Sequence, residues 1–182
     1  MYRRGVIALL LLLLSLPTLA QSRWKVIPTV GLQVTALPRF REASPLAGYK
    51  AGGMVRYQVR QGDLGRLGIE SGLFLNDIGA VRSGAGDYRQ PGIEIPLLFN
   101  FDINLTSRVN SYLRIGAYYR KDLSKDLGSV PGGIGFQVGC GAEYRNWVVS
   151  VDGLIGTHPL NVDGERRREK MAGTALTVGY SF

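Results

Sequence analysis

Cysteine and histidine are almost absent from this chain of 182 residues, which contains one of each. A single cysteine cannot form an internal disulfide, so a disulfide-stapled fold is excluded. One cysteine and one histidine also supply too few soft ligands for a structural zinc site. Acidic residues are outnumbered, 14 against 22 basic ones, and the formal net charge is +8. Where these charges lie decides whether they indicate nucleic-acid binding.

A long apolar run occurs only at the start of the chain. Two arginines precede the apolar segment Val6–Leu14, and small residues follow it up to Ala20. This layout predicts a secretory signal peptide over residues 1–20 and a mature domain over residues 21–182, with an uncleaved N-terminal anchor as the alternative. The segment is too short to span a bilayer as a helix, and no later segment qualifies. For an exported chain we expect no nucleic-acid partner.

Apolar and polar residues alternate with a period of two through the mature chain. The pattern is clearest at the C-terminus, where Leu176, Val178, Tyr180 and Phe182 are separated by small or polar residues. Eight such segments of about ten residues occur, which is the length that a tilted transmembrane strand needs. The sequence therefore predicts an all-β fold, an eight-stranded antiparallel up-and-down transmembrane β-barrel preceded by a cleaved signal peptide.

The predicted links between strands alternate in length. The long ones are Pro38–Leu46, Asp77–Gln90, Lys121–Pro131 and Thr157–Lys170, and the shorter ones are Arg60–Gly65, Asp102–Val109 and Arg145–Asn146. Outer-membrane barrels have long loops outside and short turns in the periplasm. We therefore expect the long links outside the cell and both termini in the periplasm.

The polar face of the predicted strands carries isolated charges among glycines, as expected for a barrel interior. The candidate interior residues are Arg56, Glu70, Glu94, Arg114, Gln137, Glu143 and Asp152. We expect the first four to form one charge-paired network, with Gln137, Glu143, Tyr112 and Tyr118 extending it. Eight strands enclose only enough space for side chains, so no open pore is expected. A soluble, lipocalin-like barrel that binds a ligand in its interior and a β-sandwich are the alternatives.

Three segments carry a resemblance to a family. Leu176–Phe182 resembles the C-terminal assembly signal of bacterial outer-membrane proteins. Gly92–Phe99 resembles the fourth strand of PorT-like, porin-family outer-membrane barrels, and Gly132–Phe136, with Gly139, Gly141 and Glu143, is similar to their following glycine-rich strand. The resemblance implies integral residence in a Gram-negative outer membrane after Sec-type export. It also implies recognition of Leu176, Val178, Tyr180 and Phe182 by the barrel-assembly machinery.

Candidate catalytic residues are few. His158 is the only histidine, and Ser150 and Asp152 lie on the preceding predicted strand, but no nucleophile-elbow motif accompanies them. We therefore predict no catalytic residue, no cofactor and no metal. The predicted function is a non-enzymatic barrel that acts as a structural or binding scaffold or as an accessory to transport or secretion. An outer-membrane hydrolase that modifies lipids is the alternative.

The densest charge cluster lies in the last long link and includes Arg166, Arg167 and Arg168. It is either a solvated loop tip or a contact for anionic lipid headgroups, which arginine binds through paired hydrogen bonds. The expected partners are outer-membrane lipid and lipopolysaccharide, the barrel-assembly machinery, and an unidentified protein bound through the outer loops.

Overall fold

The computed structural model describes residues 23–36, 43–62, 65–82, 86–106, 108–123, 132–162 and 165–182. Almost all of these residues lie in eight strands: β1 (Trp24–Ala36), β2 (Ala43–Gln61), β3 (Arg66–Arg82), β4 (Gly86–Asn104), β5 (Val109–Asp122), β6 (Gly133–Tyr144), β7 (Trp147–Val162) and β8 (Glu165–Tyr180). The predicted signal peptide, residues 1–20, falls outside the described residues. Within the described ranges, no helix is long and apolar enough to cross a membrane.

The strands form one closed antiparallel barrel in chain order, and β8 closes it by pairing with β1. The predicted eight-stranded antiparallel barrel is thus confirmed. The strands are staggered. When register partners are followed from strand to strand once around the barrel, starting at Lys25, the path returns to β1 at Thr35, ten residues further along. With about 3.3 Å per residue and about 4.8 Å between strands, this stagger tilts the strands by about 40°.

Side chains alternate between the outside and the interior, and the outside is the apolar face. On β6, Ile134, Phe136 and Val138 are 63%, 74% and 58% exposed, whereas the residues between them are buried. The interior instead holds charged and polar side chains. A soluble barrel has the opposite arrangement, so the lipocalin-like alternative does not fit this polarity.

Aromatic residues mark both edges of the apolar belt. We call the end where β1 begins and β8 ends the base, and the opposite end the mouth. At the base, Trp24 packs on Tyr57 and Trp147 packs on Tyr180, with ring centroids 4.5 and 5.5 Å apart. Tyr49 and Tyr119 are exposed towards the mouth. Tyr49 and Tyr57 are about 26 Å apart along the tilted β2, or about 20 Å along the barrel axis, close to the height of a transmembrane apolar band.

The strands are longer than the sequence predicts. β2 and β4 each have 19 residues, and β3 has 17. The predicted loops Asp77–Gln90 and Thr157–Lys170 are therefore mostly strand, and their described tips reach Arg82 and Val162. The backbone ladder continues beyond the belt, where side chains no longer alternate in polarity, so hydrophobic periodicity detects only the part inside the belt. Residues 37–42 and 124–131, in the other two long links, lie outside the described residues.

Candidate functional site

The barrel interior contains two clusters of paired charges, one near the base and one near the mouth. The base cluster consists of Lys25, Arg56, Glu70, Asp102, Arg114, Glu143 and Asp152. The mouth cluster consists of Lys50, Asn76, Glu94, Arg120 and Asp122. All of these side chains except that of Lys25 are buried.

Arg56 is the centre of the base cluster and has no exposed surface. Its Nε lies 2.5 Å from Glu70 Oε1, and its Nη1 lies 3.2 Å from Asp102 Oδ1 and 3.7 Å from Glu143 Oε2. The Tyr112 ring lies beside the guanidinium, 4.8 Å from its carbon to the ring centroid. Three carboxylates and one aromatic face thus replace much of the water that a buried guanidinium loses, and its Nη2 has no hydrogen-bond partner among the described residues.

Arg114 extends this cluster across the barrel. Its Nε donates to Asp152 Oδ1 at 2.7 Å, its Nη2 donates to Ser150 Oγ at 2.9 Å, and its Nη1 lies 3.3 Å from Glu70 Oε2. Glu70 therefore bridges Arg56 and Arg114, with one oxygen to each. Burial of this many charges is tolerated only when each one is paired and hydrogen-bonded.

The formal charges of the base cluster nearly balance. Lys25 lies 2.7 Å from Glu143 and adds a third cation to Arg56 and Arg114. These three face the carboxylates of Glu70, Asp102, Glu143 and Asp152. Arg66, at the base rim, brings its Nε to 4.0 Å from Asp102 Oδ2 and supplies the fourth positive charge.

The mouth cluster is balanced separately. Lys50 Nζ lies 2.5 Å from Glu94 Oε1, and Asn76 Nδ2 donates to Glu94 Oε2 at 2.7 Å. Arg120 Nε donates to Asn76 Oδ1 at 2.9 Å, and the same guanidinium pairs with Asp122. Two cations and two carboxylates are thus joined through one asparagine.

Glu94 does not join Arg56, Glu70 and Arg114, so the prediction of one network among these four residues is wrong in this respect. The register pairs Glu70 with Leu98 on β4, and Glu94 is four residues further towards the mouth. That offset corresponds to about 13 Å along the strand. Arg56, Glu70 and Arg114 do meet, as the predicted network requires. The partners Lys50, Asp102 and Asp152 were not among the predicted network residues.

The residues predicted to extend the network have different contacts. Glu143 is in the base cluster, and Tyr112 meets it through its ring. The Tyr118 hydroxyl lies 3.1 Å from His158 Nε2, near the mouth. Gln137 is buried, but no hydrogen-bond partner of its Oε1 occurs in the described part of the chain.

Glycines on β6 make room for the large interior side chains. A Cβ on Gly135 would lie 2.5 Å from the Tyr118 ring, and one on Gly141 would lie 2.5 Å from the Tyr112 ring. Both glycines are register partners of these tyrosines. The glycine-rich strand thus lets rings from β5 lie across the wall and fill the interior.

The candidate catalytic residues do not come together. His158 is fully buried near the mouth, against Tyr118. Ser150 and Asp152 both bond Arg114, and Asp152 is six residues from His158, or about 20 Å along β7. Among the described residues, His158 bonds only Tyr118, through Nε2, and its Nδ1 has no partner, so no serine there is bonded to this ring. Among the described residues, no group of three or more His, Cys, Asp or Glu side chains could hold a metal ion.

The residues of the predicted assembly signal complete the closing strand. Leu176, Val178 and Tyr180 face outward on β8. Phe182 follows the strand, packs on Tyr180 with ring centroids 4.9 Å apart, and donates its N–H to the Val26 carbonyl at 3.0 Å. The terminal residues therefore contact both sides of the β8–β1 seam.

The predicted headgroup contacts lie on β8 above the belt. Arg168 is exposed on the outer face. Arg166 and Arg167 belong to the same strand, and their side chains are outside the described part of the structure.

Comparisons with known proteins show the fold. No protein-family model and no curated protein sequence matches the chain. The solved outer membrane enzyme PagL is 14% identical, covers 86% of this chain and 98% of its own, and has a TM-score of 0.55. Neisserial surface protein A is 16% identical over 88% and 98%, with a TM-score of 0.50. OprG from Pseudomonas aeruginosa is 13% identical over 88% and 96%, with a TM-score of 0.48. The chain thus has the architecture of small outer-membrane β-barrels.

Proposed function

We propose that the mature chain is an integral outer-membrane barrel that acts as a structural or binding scaffold, without catalytic activity and without an open channel. One observation carries the proposal: an apolar belt surrounds an interior that holds two clusters of paired charges. The belt matches a bilayer, and the paired charges make the interior stable without bulk water. The likeness to PagL and to Neisserial surface protein A supports the outer membrane as its location.

The narrower assignments extend this proposal. The PorT-like resemblance of Gly92–Phe99 favours a role as an accessory to transport or secretion. Residues 1–20 would be removed on export, and the barrel-assembly machinery would recognise the C-terminal segment. Lipopolysaccharide and an unidentified protein partner would contact the mouth end.

Fractionation of cells that express the full chain tests this proposal. We expect the protein in the outer-membrane fraction, beginning at Gln21, with a band on unheated gels that shifts on boiling. Recovery from the soluble periplasm without such a shift would contradict the proposal.

Lipid hydrolysis is the second candidate function, because PagL shares the fold and is an enzyme. The surroundings of His158 argue against it, since the described structure brings no serine to this ring. The test is an assay of lipid A and phospholipid hydrolysis with the wild type and His158→Ala. We expect no hydrolysis by either protein. Hydrolysis that His158→Ala abolishes, while the heat-shifted band remains, would establish the enzyme instead.

A further inference from the structure

Two grooves of nearly equal size lie in the apolar belt, on either side of a ridge formed by Phe136 and Ile155. The first, which we call the lysine groove, has a volume of about 680 Å³. Its lining includes Ala117, Tyr119, Ile134, Thr157 and Lys170. The second, the neutral groove, has a volume of about 670 Å³; its counterparts are Val34, Ile115, Val138, Ala172 and Thr174. They differ chiefly in charge, since only the lysine groove has a charged residue in its lining.

The floor of the lysine groove has little side-chain volume. Ala117 and Gly156 form part of that floor between the larger residues Ile134 and Ile155. The groove lies within the belt that faces lipid, so its apolar lining suits an acyl chain. Burial of methylene groups against this lining would add favourable contacts without a polar partner.

The lysine groove has polar residues along one row of register partners, from Tyr119 on β5 to Thr157 on β7 and Lys170 on β8 at its mouth end. Lys170 is exposed there, opposite Thr157 in the register. The described structure holds no carboxylate paired with Lys170. The Tyr119 hydroxyl accepts the Gly132 N–H at 3.2 Å, which leaves its own hydrogen available to a ligand. An ammonium that has no carboxylate partner among the described residues, next to the Thr157 hydroxyl at the belt edge, is complementary to a lipid phosphate.

We propose that the lysine groove binds an acyl chain of lipopolysaccharide, with Lys170 paired to a phosphate of its lipid A. The choice of lipopolysaccharide rests on the proposed function, which puts the mouth end in the outer leaflet. Arg168 lies two residues before Lys170 on the same face, further towards the mouth, and would meet the same headgroup. The neutral groove would accept acyl chains without selecting a headgroup.

Native mass spectrometry of the purified, folded barrel in nonionic detergent tests this site. The probes are lipid A, the same lipid A with its phosphates removed, and phosphatidylglycerol. We expect lipid A to bind best. Lys170→Gln should weaken its binding about tenfold, as the loss of one charge-assisted contact predicts, and should leave the dephosphorylated form unaffected.

Matched variants separate charge from shape. Ala117→Phe fills the lysine groove and should weaken binding of both forms of lipid A. Ala172→Phe fills the neutral groove, and Arg108→Gln removes an exposed cation at the base; neither should reduce the preference for lipid A. Each variant is checked for the heat-shifted band before binding is measured.

The outcomes distinguish this proposal from the proposed function. A barrel that folds but binds lipid A and its dephosphorylated form equally, or is unchanged by Lys170→Gln, overturns the lipid site alone. Equal binding of phosphatidylglycerol overturns the choice of lipopolysaccharide. A chain that gives no heat-shifted band in membranes contradicts the proposed function itself.

Discussion

Removing one member of the Lys50–Glu94 pair should destabilise the barrel strongly. Both side chains are almost fully buried, 2% and 1% exposed, and each is the nearest opposite charge of the other at 2.5 Å. Glu94→Leu leaves the Lys50 ammonium without its carboxylate, and Lys50→Met leaves the carboxylate without its ammonium. We expect each change to cost about 3–5 kcal/mol of unfolding free energy, less wherever interior water reaches the stranded charge.

The double variant provides the decisive comparison. Lys50→Met with Glu94→Leu removes both charges and leaves only the Asn76 amide without its acceptor, so its cost should be about 1–3 kcal/mol. The two single costs should therefore exceed the double cost, with a coupling energy of at least about 2 kcal/mol.

Urea titration of the barrel in lipid vesicles measures these free energies under conditions where refolding is reversible. The two tryptophans of the chain are convenient probes, because Trp24 and Trp147 are both partly exposed on the outer face at the base. If the double variant loses as much stability as the two single variants together, Lys50 and Glu94 are not coupled, which contradicts a buried ion pair between them.

Three further predictions concern packing, assembly and topology. A Cβ on Gly92 would lie 2.5 Å from the Arg120 guanidinium, whereas a Cβ on Gly53 meets nothing closer than 3.8 Å; Gly92→Ala should cost about 1–3 kcal/mol in the same titration and Gly53→Ala should not destabilise. Equal effects of the two would argue against a filled mouth cluster. Deleting Phe182 should lower the amount of heat-shifted barrel in the outer membrane, and unchanged insertion would count against the assembly signal. In a Cys140→Ala background, Leu123→Cys should react with a membrane-impermeant reagent on intact cells and Arg108→Cys should not; the reverse pattern would invert the topology.

The number of strands and their faces could be predicted because they depend on local periodicity. Ile134, Phe136 and Val138 alternate with small or polar residues, and a strand with one lipid-facing side requires that period. The same alternation assigned Arg56, Glu70 and Arg114 to the interior. Whether a side chain faces the interior or the lipid follows from its position in the alternation along its own strand. The register between neighbouring strands is not needed for this.

The height of each residue along the barrel could not be predicted, because it depends on the stagger between strands. Glu94 faces inward as expected, but the register places it beside Lys50 rather than Arg56. Lys50 was not predicted because it lies in the weakest of the alternating segments.

Inward glycines opposite tyrosines, such as Gly141 opposite Tyr112, were the available signal that large side chains occupy the interior. The lengths of β3 and β7 were underestimated because their outer ends lack alternating polarity.

Single-channel recording in planar lipid bilayers tests the filled interior most directly. Purified, heat-shifted protein is added to the bilayer, with a sixteen-stranded porin as the positive control, since barrels of that size enclose water. The two charge clusters and the rings of Tyr112 and Tyr118 should block ion flow, so we expect insertion without stable conductance steps. Steady steps of porin-like size from the wild-type protein would contradict a filled, charge-paired interior.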